Sequence, residues 1–215
     1  MQFTEFSSLW RASAVPLVAI LRGLTPHEAP DVGDALLAAG FSWLEVPLNS
    51  PQALASIALL RERCGDRARV GAGTVLTIQE VDAVADIGGQ LIISPNMSEA
   101  VIRRSRERGL ISMPGILTPS EAFVALGAGA SALKLFPAEM ASPAGLQAMR
   151  AVLPKALICL PVGGIQPDAP QMRRWADAGA QGFGLGGGLY RAGDTAKTVG
   201  ERAIAYRNAW QACCA

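Results

Sequence analysis

Apolar runs of strand length alternate along this chain with longer stretches of helical periodicity, about eight times at roughly 20 to 25 residues per repeat. That rhythm predicts an α/β protein, a (β/α)8 barrel. The strand candidates are Val15 to Leu21, Phe41 to Leu48, Arg69 to Gly73, Gln90 to Ser94, Leu110 to Gly115, Ser131 to Phe136, Ala156 to Val162 and Gly182 to Gly186. Helix starts are expected at Thr25-Pro26, Ser50-Pro51, Thr118-Pro119, Ser142-Pro143 and Pro167-Asp168, where a capping side chain meets a first-turn proline or acid. Helix ends are expected at Gly40, Gly65, Gly88-Gly89, Gly109, Gly127 and Gly179, which supply left-handed caps. A short extra helix at about Thr4 to Ala14 would close the barrel bottom. The other architecture with this alternation is an open doubly wound sheet. Such sheets usually stop at five or six strands, so eight units in 215 residues favour closure.

Half of the residues are hydrophobic and 17% are charged, the composition of a packed soluble protein. A net charge of +1 gives no global field for nucleic acid or an anionic membrane, so any anion must be held by a local site. Gly, Pro, Arg or Glu interrupts each apolar stretch before the roughly 18 residues a spanning helix needs. Met1 to Arg11 carries Glu5 and lacks a basic, apolar signal core, which predicts a cytoplasmic protein. Cys64, Cys159, Cys213 and Cys214 show no zinc or redox spacing and read as reduced thiols. His27 is the only histidine, which disfavours a histidine triad and leaves a metal site short of its commonest nitrogen ligand. With no linker or low-complexity tract, one domain is expected over residues 1–215.

Charged residues inside strands need individual accounting, because alternate side chains of a barrel strand face the interior and a charge there is costly unless paired or used. Lys134 lies between Leu133 and Leu135, which should face the helices, so its amine points inward. Burial would make that amine a nucleophile; the alternative is a structural lysine paired with a carboxylate. Glu45, between Leu44 and Val46, is the same anomaly on the second strand. It could be the partner of Lys134 in an inert ion pair. The two explain each other better as a catalytic pair, because Schiff-base chemistry needs an acid that moves protons beside the amine.

Arg22 ends the first strand at the rim, where a guanidinium suits a substrate carboxylate or is simply an exposed loop arginine. Thr74 closes the third strand beside Gly71 and Gly73, as a carboxylate ligand or an N-cap. Gly163-Gly164 follows the seventh strand and Gly186-Gly187-Gly188 the eighth, where barrels bind phosphate with backbone N–H groups.

The segments VAILRG, LEVPLNSP, VGAGTVL, LIISPN, MPGILTPSEA, LKLFPAE, LPVGGI and GLGGGLYRAG run the length of the chain. Together they resemble the class I aldolases that cleave 2-keto-3-deoxy-6-phosphosugar acids. The resemblance implies that Lys134 forms the Schiff base, that Glu45 shuttles protons, and that Gly163-Gly164 with Gly186 and Gly187 hold the phosphate. Arg22 and Thr74 would hold the carboxylate, and Pro114 and Phe136 would line the pocket unless they are plain core. Asn49 in LEVPLNSP and Val162 before the Gly-Gly turn lean towards the galactonate branch of that family rather than the gluconate branch. Gly187 departs from the family, which often carries a phosphate-binding serine there.

The implied partners are a phosphorylated keto acid and pyruvate, with no cofactor, no metal, no nucleic acid and no membrane, in a homotrimer. Competing readings are an enzyme of the gluconate epimer or of both, a non-catalytic phosphosugar-binding barrel, and a metal-dependent aldolase.

Overall fold

The computed structural model describes residues 1–214, so the single-domain expectation over 1–215 ends on Ala215, outside the described residues. The strands are β1 (Leu17–Ile20), β2 (Trp43–Pro47), β3 (Arg69–Gly73), β4 (Leu91–Ile93), β5 (Ile111–Met113), β6 (Gly115–Ile116), β7 (Leu133–Leu135), β8 (Cys159–Pro161) and β9 (Phe183–Leu185). The helices are α1 (Phe3–Arg11), α2 (Ala29–Ala38), α3 (Ala53–Cys64), α4 (Ile78–Asp86), α5 (Glu99–Glu107), α6 (Pro119–Ala128), α7 (Pro143–Arg150), α8 (Ala169–Asp177) and α9 (Ala196–Cys214).

All strand pairs are parallel, in a curled six-stranded sheet of order β5-β4-β3-β2-β1-β9 and a three-stranded sheet of order β6-β7-β8. The α/β alternation is as expected, but the expected ring of eight continuous strands divides at two seams. At one, Pro114 splits the fifth predicted strand, because proline has no N–H to continue the ladder. The chain itself crosses that seam: the Ser112 carbonyl accepts from Ser131 N at 2.8 Å, and the Pro114 carbonyl from Lys134 N at 3.0 Å. At the other, an isolated parallel bridge, Val162 to Gly184, joins β8 to β9.

Period-two alternation sorts the side chains. Leu44, Val46, Leu133 and Leu135 join the large core under the helices, whereas Val18, Trp43, Leu91 and Leu160 form a second core inside the curl. α1 plugs the floor of that inner core. Phe6 and Trp10 pack on Trp43 with ring centres 5.5 and 5.0 Å apart, and the indole N–H of Trp10 donates to the Gln181 carbonyl at 2.7 Å.

Helix starts follow capping chemistry at Thr118, Ser142 and Asp168, each accepting a backbone N–H of its own first turn. Two predicted starts are displaced. The Thr25 N–H and hydroxyl both donate to Glu28 Oε2, forming a separate turn before α2 opens at Ala29. Ser50 instead accepts the Gly23 N–H at 2.9 Å, tying two loops together, and α3 opens at Ala53. Gly127 lies within α6, and the left-handed cap is Gly129 at φ 99°. The four cysteines are free thiols. Among the described residues no helix is long and apolar enough to cross a membrane.

Candidate active site

The inward set of side chains stops near the carboxyl ends of the strands, leaving a cavity of about 320 Å³. Lys134, on β7, reaches its floor. The residue is 7% exposed, and its Nζ lies 4.7 Å from the centre of the Phe136 ring. Among the described residues its amine makes no ion pair. Burial pushes the Lys134 pKa down, Glu45 opposes the shift, and the Arg22 charge adds to it.

Glu45, on β2, is 1% exposed, and its Oε2 has no hydrogen-bond partner. Burial pushes its pKa up, against the pull of Lys134 and Arg22. Both groups border a small apolar chamber beneath the cavity, walled by Ile20, Ile93, Met113 and Val162. The neighbouring strand makes room for the acid: a methyl on Gly73 would lie 1.3 Å from Glu45 Oε2. The inert ion pair is therefore not formed. A carboxyl and an amine instead face one apolar space, each biased towards its neutral form.

The rim supplies the polar contacts. Arg22 is fixed by donating Nη1 to Asn49 Oδ1 at 2.5 Å and Nη2 to Thr74 Oγ1 at 3.5 Å. Thr74 adopts φ 56°, a left-handed conformation costly for a β-branched residue, on the order of 1–3 kcal/mol. It is not the cap of α4; Thr77 is, in a capping box with Glu80. Val162, Gly163, Gly164, Gly186 and Gly187 all line the cavity, as do Phe136, Arg22 and Thr74. Pro114 lines neither the cavity nor the chamber; it is buried, and its carbonyl accepts the Lys134 backbone N–H.

Sequence reasoning missed Glu139, which lines the cavity against the Gly-Gly turn, where a methyl on Gly163 would lie 2.0 Å from Glu139 Oε2. Its signal was available: an acid just past the end of the lysine strand. Pro95, at the end of the fourth predicted strand, also lines the cavity. Among the described residues no three His, Cys, Asp or Glu side chains gather as a metal cluster.

A buried amine, a buried acid and a glycine-rich rim thus meet at the strand ends, and comparison with known proteins identifies the family. The model of the KDPG and KHG aldolases matches residues 9–197. The chain is 46% identical over 197 residues to the 2-dehydro-3-deoxy-6-phosphogalactonate aldolase of Escherichia coli (strain K12), covering 92% of this chain and 95% of that one. It is 33% identical over 164 residues to the KHG/KDPG aldolase of the same organism, covering 75% and 74%. A solved structure described as native KDPGal superposes with a TM-score of 0.90 at 45% identity, covering 93% of this chain and 96% of that one. The chain belongs to the KDPG and KHG aldolase family.

Proposed function

We propose that this aldolase cleaves 2-dehydro-3-deoxy-6-phosphogalactonate to pyruvate and D-glyceraldehyde 3-phosphate through a Schiff base on Lys134. The observation that carries the proposal is the unpaired, buried amine of Lys134 on the cavity floor. Burial holds its pKa below the usual lysine range, which raises the fraction of neutral amine available to attack the C2 carbonyl. Loss of water from the carbinolamine gives an iminium. Glu45 takes the C4 hydroxyl proton as the C3–C4 bond breaks, and the bonding electrons move into the iminium to leave an enamine. The protonated Glu45 returns its proton to C3, and water then releases pyruvate and restores the amine. Burial of Glu45 suits this two-way transfer, because a raised pKa brings a carboxyl closer to the working pH.

Arg22, held by Asn49 and Thr74, is oriented to receive the substrate carboxylate, while the amides of Gly163, Gly164, Gly186 and Gly187 take the phosphate. Asn49 beside Arg22, Val162 before the glycines, and the higher identity to the galactonate enzyme support that epimer. Turnover of the two epimers compared under identical conditions, with borohydride trapping of the pyruvate adduct, tests both chemistry and substrate. A preference for the gluconate epimer overturns the substrate, and absence of trapping overturns the chemistry and leaves a phosphosugar-binding protein.

Gly73 gives a further expectation. Alanine there fits an extended strand but displaces the Glu45 carboxylate, so Gly73→Ala should lower kcat by about a hundredfold while the pyruvate adduct still forms. Wild-type kcat in that variant would remove Glu45 from the mechanism.

The strands are inferred to close as one (β/α)8 barrel in a single domain. The direct pairing of β1 with β9, the Val162–Gly184 bridge and the chain continuity through Pro114 support that closure. The family resemblance implies a homotrimer; an oligomer, of whatever order, is supported by a chain of 45% identity within a designed cage made by fusing symmetric oligomeric domains, and by the exposure of Met140, Val152 and Phe123.

A further inference from the structure

Two glycine turns can grip one phosphate only if the distance between them is fixed. Where they leave the sheet, β8 and β9 are joined by the isolated Val162–Gly184 bridge, so the ladder alone gives little stiffness there. A side chain from α9 fills the seam. Tyr206 is 0% exposed, and its hydroxyl donates to the carbonyl of Ile165 at 2.8 Å, one residue beyond Gly163-Gly164. The same oxygen abuts the other turn, since a methyl on Gly188 would lie 2.2 Å from it. Ile165 and Gly188 both line the cavity. The second turn is tied to α9 again through Asp194, which accepts from Arg191 N at 2.8 Å and from Arg202 Nη1 at 2.5 Å, while Arg191 Nε donates to the Gly187 carbonyl at 2.9 Å.

We propose that Tyr206 is a positioning residue that sets the spacing between the Gly163-Gly164 and Gly186-Gly188 turns, and through it the affinity for the phosphorylated end of the substrate. The inference rests on the assignment of phosphate to those turns under the proposed function. Gly188 belongs to the same device: its missing side chain is what lets the phenol oxygen lie between the turns.

Tyr206→Phe keeps the buried ring and removes only the hydroxyl, leaving the Ile165 carbonyl without that donor. The expected result is a KM for the phosphorylated substrate raised about tenfold with kcat within about twofold, and unchanged borohydride trapping by pyruvate, which has no phosphate. Gly188→Ala should raise the same KM by about tenfold, because the new methyl and the hydroxyl cannot share the seam. Added to Tyr206→Phe it should cost less than about threefold, since the nearest ring carbon stands 3.4 Å from the added methyl.

The proposal is overturned if Tyr206→Phe leaves KM unchanged, if it weakens pyruvate trapping in parallel, or if the two substitutions multiply independently. Melting temperatures of all variants separate loss of fold from loss of spacing. Failure of the wild-type enzyme to turn over the phosphorylated acid would sink the parent function instead, a different outcome from normal turnover in Tyr206→Phe.

Discussion

Lys134→Ala is expected to lower turnover on the order of 10⁴-fold or more, and borohydride with pyruvate should leave its mass unchanged while the wild type gains one reduced adduct. The size of the effect follows from the surroundings: no other amine is available to the cavity. Lys155 and Lys197, the chain's other lysines, are exposed and lie outside it. A reduced adduct appearing on either of them in the variant would overturn the assignment. Lys134→Met serves as a control for the fold, because it fills the same space without a nucleophile. Its stability carries a sign. The folded state lowers the Lys134 pKa, so between that lowered value and the unfolded lysine's 10.5 the unfolded chain holds a proton that the folded protein has shed. Wild-type stability therefore rises with pH across that window, and Lys134→Met should lose this rise. Melting temperatures measured at several pH values would show it, and an identical slope in the variant would mean that the amine is not held neutral.

The chemistry of this site was legible where charge broke an apolar strand pattern. Lys134 between Leu133 and Leu135, and Glu45 between Leu44 and Val46, place their neighbours in the helix-facing core, as period-two alternation requires. What alternation could not give was the separation of the two groups across the sheet, which decides between an ion pair and a shared apolar chamber. Local chemistry also ran out at Pro114. A strand with proline near its end reads as one apolar run, yet the missing N–H hands the ladder from one sheet to the next. Ser50-Pro51 resembles Ser142-Pro143 as a helix start, but Ser50 is claimed by the Gly23 N–H, a partner 27 residues away. The contacts of Tyr206 with the Ile165 and Gly188 turns, and of Glu139 with Gly163, are of the same kind. They depend on side-chain reach between loops that no local period encodes.

Glu45→Gln should separate proton transfer from nucleophilic attack. The amide keeps the volume of the acid but cannot take the C4 hydroxyl proton, so kcat should fall by about 10² to 10⁴. The pyruvate adduct should still be trapped, because the nucleophile is intact. Its pH dependence should move in a defined direction. The Glu45 charge raises the Lys134 pKa against the downward push of burial. Removing that charge leaves burial and Arg22 acting together, so the amine stays neutral to lower pH. The acid limb of the trapping rate should therefore shift to lower pH in Glu45→Gln than in the wild type. An unmoved limb would show that the carboxylate does not act on the amine, and together with wild-type kcat would return Glu45 to a structural role; a shift to higher pH would reverse the sign argued from the Glu45 charge. Loss of trapping would make the acid necessary for adduct formation itself, placing Glu45 at the dehydration step ahead of bond cleavage.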